Sequence, residues 1–414
     1  MATFGEVEVL ISRPQLNRLT FWLLVLAAGW VQIAHAEPKQ FIIFCCHWNS
    51  QPDAFKEISR EFKPTPGASV RVGVSAIFCY LNQSRAASVA DLRAFLREAE
   101  ETDTPVVVQL DGENWWADRP DLWNWWDPAQ PGYAANNRTN VEWASWSPED
   151  AIKIAWRDWG RQIRVLPPPN LMSERYRAAC HQEMRVLIPI VLEWWRALPT
   201  EKKYLWVGLK LGHESSIGVN AWYYPGGNHL LNLPASEDPT TGLKLDELPA
   251  RGVTQIGYAA VKTAGLRREG PLTEADLAEV ARRHLEDLCR LAAELGVPRD
   301  RLFSHGVGWR ENELLYQASV NEFSCPGWSF YRHADNPLKD AGVQNALKRS
   351  DAPQWAAVEW LFQGPREVAA WKSALEKTLQ PRCSYLCIFN WEGVRNSPEV
   401  IQAVNEFISQ RKRP

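Results

Sequence analysis

Eight short apolar runs recur along the chain, each bounded by turn or helix signals: Phe41–Trp48, Val70–Tyr80, Pro105–Leu110, Tyr204–Gly212, Gly252–Lys262, Leu302–Trp309, Gln354–Leu361 and Ser384–Trp391. Near-continuous runs of this length read as strands covered on both faces, the usual condition of a parallel sheet. Helical patterns lie between them. Ser88 to Arg97 places apolar residues at helical spacing behind a serine cap, and Thr273 with Asp276 forms a capping-box pattern. Other helical patterns span about Ser173–Arg196, Val368–Leu379 and Pro398–Gln410. Strands alternating with helices eight times predict an α/β chain folded as a (β/α)8 TIM barrel, with a doubly wound sheet as the alternative.

The first 36 residues read as a signal peptide. Arg13 and Arg18 precede an apolar run from Phe21 to Ile33 that ends in Ala34-His35-Ala36, a small-x-small cleavage pattern. About 13 apolar residues are too few for the roughly 20 that span a bilayer, so no stable membrane insertion is expected after cleavage. The expectation is an exported protein, periplasmic or extracellular, with residues 37–414 forming a single catalytic barrel. Its net charge of -3 lacks the basic excess of a nucleic-acid binder. All eight cysteines follow the expected cleavage point. Disulfides are possible in such a chain, but Cys45, Cys46, Cys79 and Cys387 fall in apolar runs that also suit buried thiols, and no pairing can be deduced. Cys383 and Cys387 lack the spacing of a paired-cysteine metal site, no second pair completes one, and no phosphate-binding glycine loop follows the first run. No metal and no cofactor is implied.

In a barrel the active site forms at the carboxyl ends of the strands. The residues there are His47, Trp48 and Asn49 after the first run, Asn82 after the second, and Asp111, Glu113 and Asn114 after the third. His213 and Glu214 follow the fourth, Lys262 the fifth, and Trp309 and Arg310 the sixth; Glu359 and Trp360 close the seventh, and Asn390, Trp391 and Glu392 the eighth. The set is acidic, amide-rich and aromatic, which suits sugars: carboxylates and amides bind hydroxyls, and tryptophan faces stack on the apolar faces of a pyranose. His47 and His305 have no spaced partner and read as structural or hydroxyl-binding histidines rather than metal ligands.

Glycosidic bond cleavage needs one carboxylic acid to protonate the leaving oxygen and a second carboxylate to attack or to activate water. Glu214 after the fourth run and Glu359 in the seventh resemble the catalytic pair of the large clan of retaining (β/α)8 glycoside hydrolases, whose glutamates follow strands four and seven. That resemblance implies Glu214 as general acid/base, Glu359 as nucleophile and an oligo- or polysaccharide substrate. One departure is His213, where the clan usually has asparagine before its acid/base. The Trp-Tyr-Tyr-Pro of the loop after Glu214 is also similar to the loop that follows the catalytic glutamate in β-amylases, which are inverting barrels.

Of the 22 tryptophans, nine lie between Glu113 and Gly160: Trp115, Trp116, Trp123, Trp125, Trp126, Trp143, Trp146, Trp156 and Trp159. So long a connection after the third strand reads as a functional Trp-rich loop or a small subdomain. Two or three of these rings, Trp115 and Trp116 first, are expected to line the cleft, and the rest to form a small core. The alternative to an enzyme is a noncatalytic carbohydrate-binding barrel that keeps the tryptophans without a competent acid pair.

Overall fold

In the computed structural model, which describes residues 40–48, 53–63, 68–158, 162–218, 221–234, 237–238, 255–307 and 313–411, apolar runs of the chain close on themselves. The strands are β1 (Gln40–Cys46), β2 (Val70–Cys79), β3 (Val106–Asp111), β4 (Trp206–Ser215), β5 (Leu302–Gly306), β6 (Gly327–Phe330), β7 (Trp355–Trp360) and β8 (Cys383–Ile388). They pair in chain order, all parallel, and β8 returns to β1 with Phe41 beside Tyr385. The chain is a (β/α)8 barrel. The segment 1–36, read from the sequence as a signal peptide, and Asn49, Trp159, Trp309 and Arg310 lie outside the described residues.

Seven of the eight runs become strands, and the fifth does not. Its described part holds a short helix, Tyr258–Thr263, whose first N–H groups are taken by a carboxylate: Ala259 N and Ala260 N donate to Glu142 at 3.1 and 3.2 Å. The missing strand is β6, only four residues between Pro326 and Tyr331, too short to stand out as a run. The loss and the gain both fall between the fourth and seventh runs. Glu214 therefore stays on the fourth strand and Glu359 on the seventh.

Eight helices follow the strands: α1 (Ala54–Glu61), α2 (Arg85–Glu101), α3 (Glu174–Ala197), α4 (Glu274–Glu294), α5 (Glu313–Ala318), α6 (Ala341–Arg349), α7 (Val368–Thr378) and α8 (Pro398–Gln410). The capping box of α4 forms as expected. The cap of α2 is Ser84, which accepts from Ala87 N at 3.3 Å; Ser88 is buried one turn inside.

Side-chain alternation divides the core in two. On β1, Phe41, Ile43 and Cys45 point into the barrel with Val107, Val207, Phe303, Val358, Tyr385 and Cys387, while Ile42, Phe44 and Cys46 face the helices. Each fully buried large apolar side chain contributes about 1.5–3 kcal/mol. All eight cysteines are free thiols.

Between β3 and α3 the chain builds an insertion whose short strands Ala155–Asp158 and Gln162–Val165 make an antiparallel sheet with Ala221–Trp222. Three of its tryptophans, Trp123, Trp125 and Trp126, pack against one another, and most of its indole N–H groups are spent on protein acceptors. The indole N–H groups of Trp116, Trp123, Trp125 and Trp143 donate to the carbonyls of Pro167, Trp116, Ile152 and Arg138, and that of Trp156 to Asp238. Trp116, expected at the cleft, is 1% exposed and edge-on to Tyr176; its neighbour Trp115 is 37% exposed. Trp116→Ala should accordingly cost about 3–5 kcal/mol of stability, as truncation of a buried tryptophan does, and Trp115→Ala about 0.5 kcal/mol. Thermal or denaturant unfolding of the two variants checks this; equal losses would contradict the packing.

Candidate functional site

Both candidate carboxylates sit where a strand departs from regular pairing. On β4 the ladder to β5 slips between Leu211 and Ser215, Gly212 takes φ +78°, and Glu214 itself takes φ +52°. A Cβ on Gly212 would lie 2.4 Å from Ser215 Oγ and 2.6 Å from Leu285 Cδ2, so only glycine fits. A left-handed conformation at a non-glycine residue costs on the order of 1–3 kcal/mol and clusters at functional sites. On β7 the ladder slips beside both neighbours, between Ala356 and Glu359 and between Ala357 and Trp360. Such irregularities re-aim side chains. Glu359 turns inward, and Trp360 turns out to pack against Trp371.

Glu359 is buried, 4% exposed. One oxygen accepts from the Tyr331 hydroxyl, just past β6, and the other, Oε2, has no hydrogen-bond partner among the described residues. Burial and the nearby charge of Glu214 push its carboxyl up to about 8, against the opposing pull of Lys210 and the Tyr331 bond. Burial, Glu359 and Glu214 likewise hold the Tyr331 phenol well above its usual range.

Below them lies a buried ammonium. Lys210 Nζ is 3.1 Å from His213 Nδ1 and 2.7 Å from His305 Nδ1; His305 Nε2 is 2.7 Å from Ser329 Oγ, and His213 Nε2 is 3.8 Å from Glu359 Oε2. Burial, then Lys210, hold both imidazoles well below their usual range. His213, His305 and Glu359 also bring possible ligand atoms within 4.8 Å of one another. The Lys210 ammonium supplies the positive charge there and opposes a second cation.

Glu214 lines a cavity walled by the insertion, through Glu142, Arg157, Pro168 and Leu171, and by Glu113, Asn114, His213 and Ile217. Arg157 is half-buried among carboxylates: loss of solvent pulls its guanidinium down, and the charges of Asp111, Glu214 and Glu113 hold it up. It also donates to Asn114 Oδ1. Burial lifts Glu142 to about 8 against the backbone N–H groups that bind it.

The residues after β3 brace this arrangement. Asp111 accepts from Glu113 N at 2.7 Å and Asn114 N at 3.2 Å; Glu113 accepts from Ser215 Oγ at 2.5 Å and lies 3.2 Å from His284 Nε2; Asn114 Nδ2 donates to the His213 carbonyl at 3.2 Å. Burial raises the Asp111 carboxyl. Beyond β1 and β8, His47 N donates to Glu392 at 2.9 Å and its Nδ1 lies 3.4 Å from the other carboxylate oxygen. The Glu392 bond raises the His47 imidazole; burial works against ionisation of Glu392, yet the His47 bonds hold it low. Asn390 caps the short helix Trp391–Val394.

Three tryptophans expected to meet substrate do not face the cleft. Trp116, Trp360 and Trp391 are each at most 1% exposed, and the indole N–H of Trp391 is spent on Glu57. Trp48 is half-buried, edge-on to Phe55 and Phe95 of the helical layer. Conversely, Lys210, Tyr331 and Arg157 join the site without having been expected there, and His305, read as structural or hydroxyl-binding, lies beside them. Lys210 carried a signal, a charge inside the apolar run YLWVGLKLG. Arg157 carried none, because the fold of the insertion alone brings it to Glu214.

No protein-family model and no curated protein matches the chain. Among solved structures it is similar to a glycoside hydrolase family 5 enzyme from Prevotella bryantii B14, at TM-score 0.44 and 9% identity over 90% of this chain and 96% of that one. It is also similar to a broad specificity endoglucanase from Clostridium acetobutylicum, at 0.43 and 7% over 89% and 97%. A xyloglucan-specific β-1,4-glucanase from a ruminal metagenomic library follows at 0.41 and 8% over 87% of each chain. These likenesses add nothing to the barrel that the strand order already defines.

The raised carboxyl of Glu359 makes a stability prediction. Between about pH 4.5 and 8 the unfolded chain has lost this proton and the folded chain keeps it, so ionising Glu359 destabilises the fold as pH rises. Glu359→Gln cannot ionise. Its melting temperature should exceed that of the parent by an amount that is small near pH 4.5 and largest above pH 8; a gain that shrinks with rising pH would contradict the burial of this charge.

Proposed function

We propose that the chain is an exported glycoside hydrolase that cleaves a glycosidic bond with Glu214 as general acid/base and Glu359 as nucleophile, with retention of configuration. One observation carries the reading: two carboxylates from β4 and β7, each turned inward by a backbone irregularity, are close enough that the charge of one raises the other. A pair that takes one proton at neutral pH supplies an acid and an anion together, which is what glycoside cleavage requires. In the resting protein that proton lies on Glu359, and attack requires it to pass to Glu214. The Tyr331 hydroxyl and the Lys210 charge stabilise an ionised Glu359, and once Glu214 carries the proton its repulsion of Glu359 disappears.

The substrate class follows from the charge around the cleft. Glu113, Glu142 and Glu214 line the cavity with Arg157, whose charge is answered by Asp111, Glu113 and Glu214. An acidic sugar would find the Arg157 charge already answered by these carboxylates, which supports a neutral oligo- or polysaccharide. The 37% exposure of Trp115, next to Asn114 in the chain, supports a stacking role for its ring. Export rests on the signal-like segment at residues 1–36.

Glu214→Gln tests the assignment with two readouts. Turnover of glycosides with poor leaving groups should fall by about 10²–10⁴, while activated aryl glycosides, which need little protonation, are largely spared. On those activated substrates the acid limb of the pH profile should move to lower pH, because the like charge that pushes Glu359 up is gone. Equal loss on both substrate types removes Glu214 as the acid. Binding of oligosaccharides without turnover of any glycoside would turn the reading to a carbohydrate-binding barrel.

A further inference from the structure

A lysine in the middle of a barrel strand is costly unless the fold uses it, and Lys210 is fully buried. An ammonium has three donors and no acceptor. Its two close partners, at 3.1 and 2.7 Å, are the Nδ1 atoms of His213 and His305. Both nitrogens must therefore accept, which leaves each ring neutral with its proton on Nε2. For His305 that proton goes to Ser329 Oγ at 2.7 Å. For His213 it faces Glu359 Oε2 across 3.8 Å, and that oxygen has no hydrogen-bond partner among the described residues. The gap exceeds the roughly 2.7–3.2 Å of a direct bond, yet a hydroxyl oxygen about 2.8 Å from each atom completes a triangle with it.

We propose that Lys210 is a positioning residue: seated between two imidazoles, it fixes His213 as a hydrogen-bond donor, so that a substrate hydroxyl can accept from His213 Nε2–H while donating to Glu359 Oε2. Without the ammonium the His213 ring can carry its proton on either nitrogen, and the donor at the cleft is lost for part of the population. His305 is the second anchor. Its own N–H is held by Ser329, so Lys210 is gripped from β5 as well as from its own strand. The charged and titratable groups around His213 are Lys210 and Glu214 on β4, His305 on β5, Glu359 on β7 and Arg157 from the insertion. Burial and the positive charges of Lys210 and Arg157 keep the ring neutral, in agreement with the hydrogen-bond geometry.

The inference rests on the glycosidase reading only for the identity of the hydroxyl. Its test is the state of the ring. In two-bond 1H–15N spectra of the labelled full chain, assigned with His213→Asn and His305→Asn, both rings should show the Nε2–H pattern, unchanged from pH 5.5 to 8. A His213 ring protonated on Nδ1, or on both nitrogens at pH 7, overturns the proposal in the parent chain alone, whether or not any variant folds. In Lys210→Met the His213 pattern should change to mixed tautomers or begin to titrate; an unchanged pattern also overturns it. On any glycoside the chain turns over, Lys210→Met should lower kcat by about 10- to 100-fold through misplacement of the donor, more than it raises KM. If no glycoside is turned over, the proposed function fails while the spectra still decide the role of Lys210.

Discussion

The repulsion between the carboxylates of Glu214 and Glu359, held over the buried ammonium of Lys210, is the interaction around which the rest of the site is arranged. Two buried carboxylates cannot both ionise cheaply, and with Glu214 beside it the buried Glu359 keeps its proton to higher pH than an ordinary carboxyl. Each surrounding group answers that strain. Tyr331 donates to one oxygen of Glu359, Lys210 lends it positive charge, and Arg157 lies near Glu214 from outside the barrel. The barrel closure fixes which strands face each other; the slips in β4 and β7 then turn the two side chains inward.

This arrangement is unfavourable for stability. A left-handed glutamate, a broken ladder on β7, a lysine in the barrel core and an unpartnered carboxylate oxygen each work against the fold. They are borne by the double core, in which Ile43, Val107 and Phe303 fill the barrel and Phe44, Phe55 and Trp391 join it to its helices. Local penalties concentrated at one end of a well-packed scaffold are the pattern of a functional site rather than of a structural one.

Much of the scaffold was legible in the sequence, because buried parallel strands announce themselves as apolar runs and helices as capped periodic ones. The failures were local. Tyr258–Thr263 looked like strand because Ala, Val and Tyr are apolar, while the buried Glu142 carboxylate that holds its first N–H groups lies far away in the chain. β6 was invisible because four residues form no pattern. At the site, position after a strand singled out Glu214, Glu359 and His213 as candidates, but could not say which way a side chain points. Trp360 and Trp391 follow or end strands and yet face the helices, since alternation and the β7 slip decide orientation. Arg157 and Tyr331 reach the carboxylates through an insertion and a short strand that only the folded chain brings near.

The central claim is that Glu359 attacks and Glu214 assists, and the most direct measurement is trapping of the attacking residue. The full chain would be incubated with activated 2-deoxy-2-fluoro glycosides of the common hexoses, and the labelled peptide sequenced by mass spectrometry. A covalent sugar on Glu359, lost in Glu359→Gln and still formed in Glu214→Gln, is the predicted result. A sugar attached to Glu214, Glu392 or Glu113 instead would contradict the assignment and the reading of β7 on which it rests.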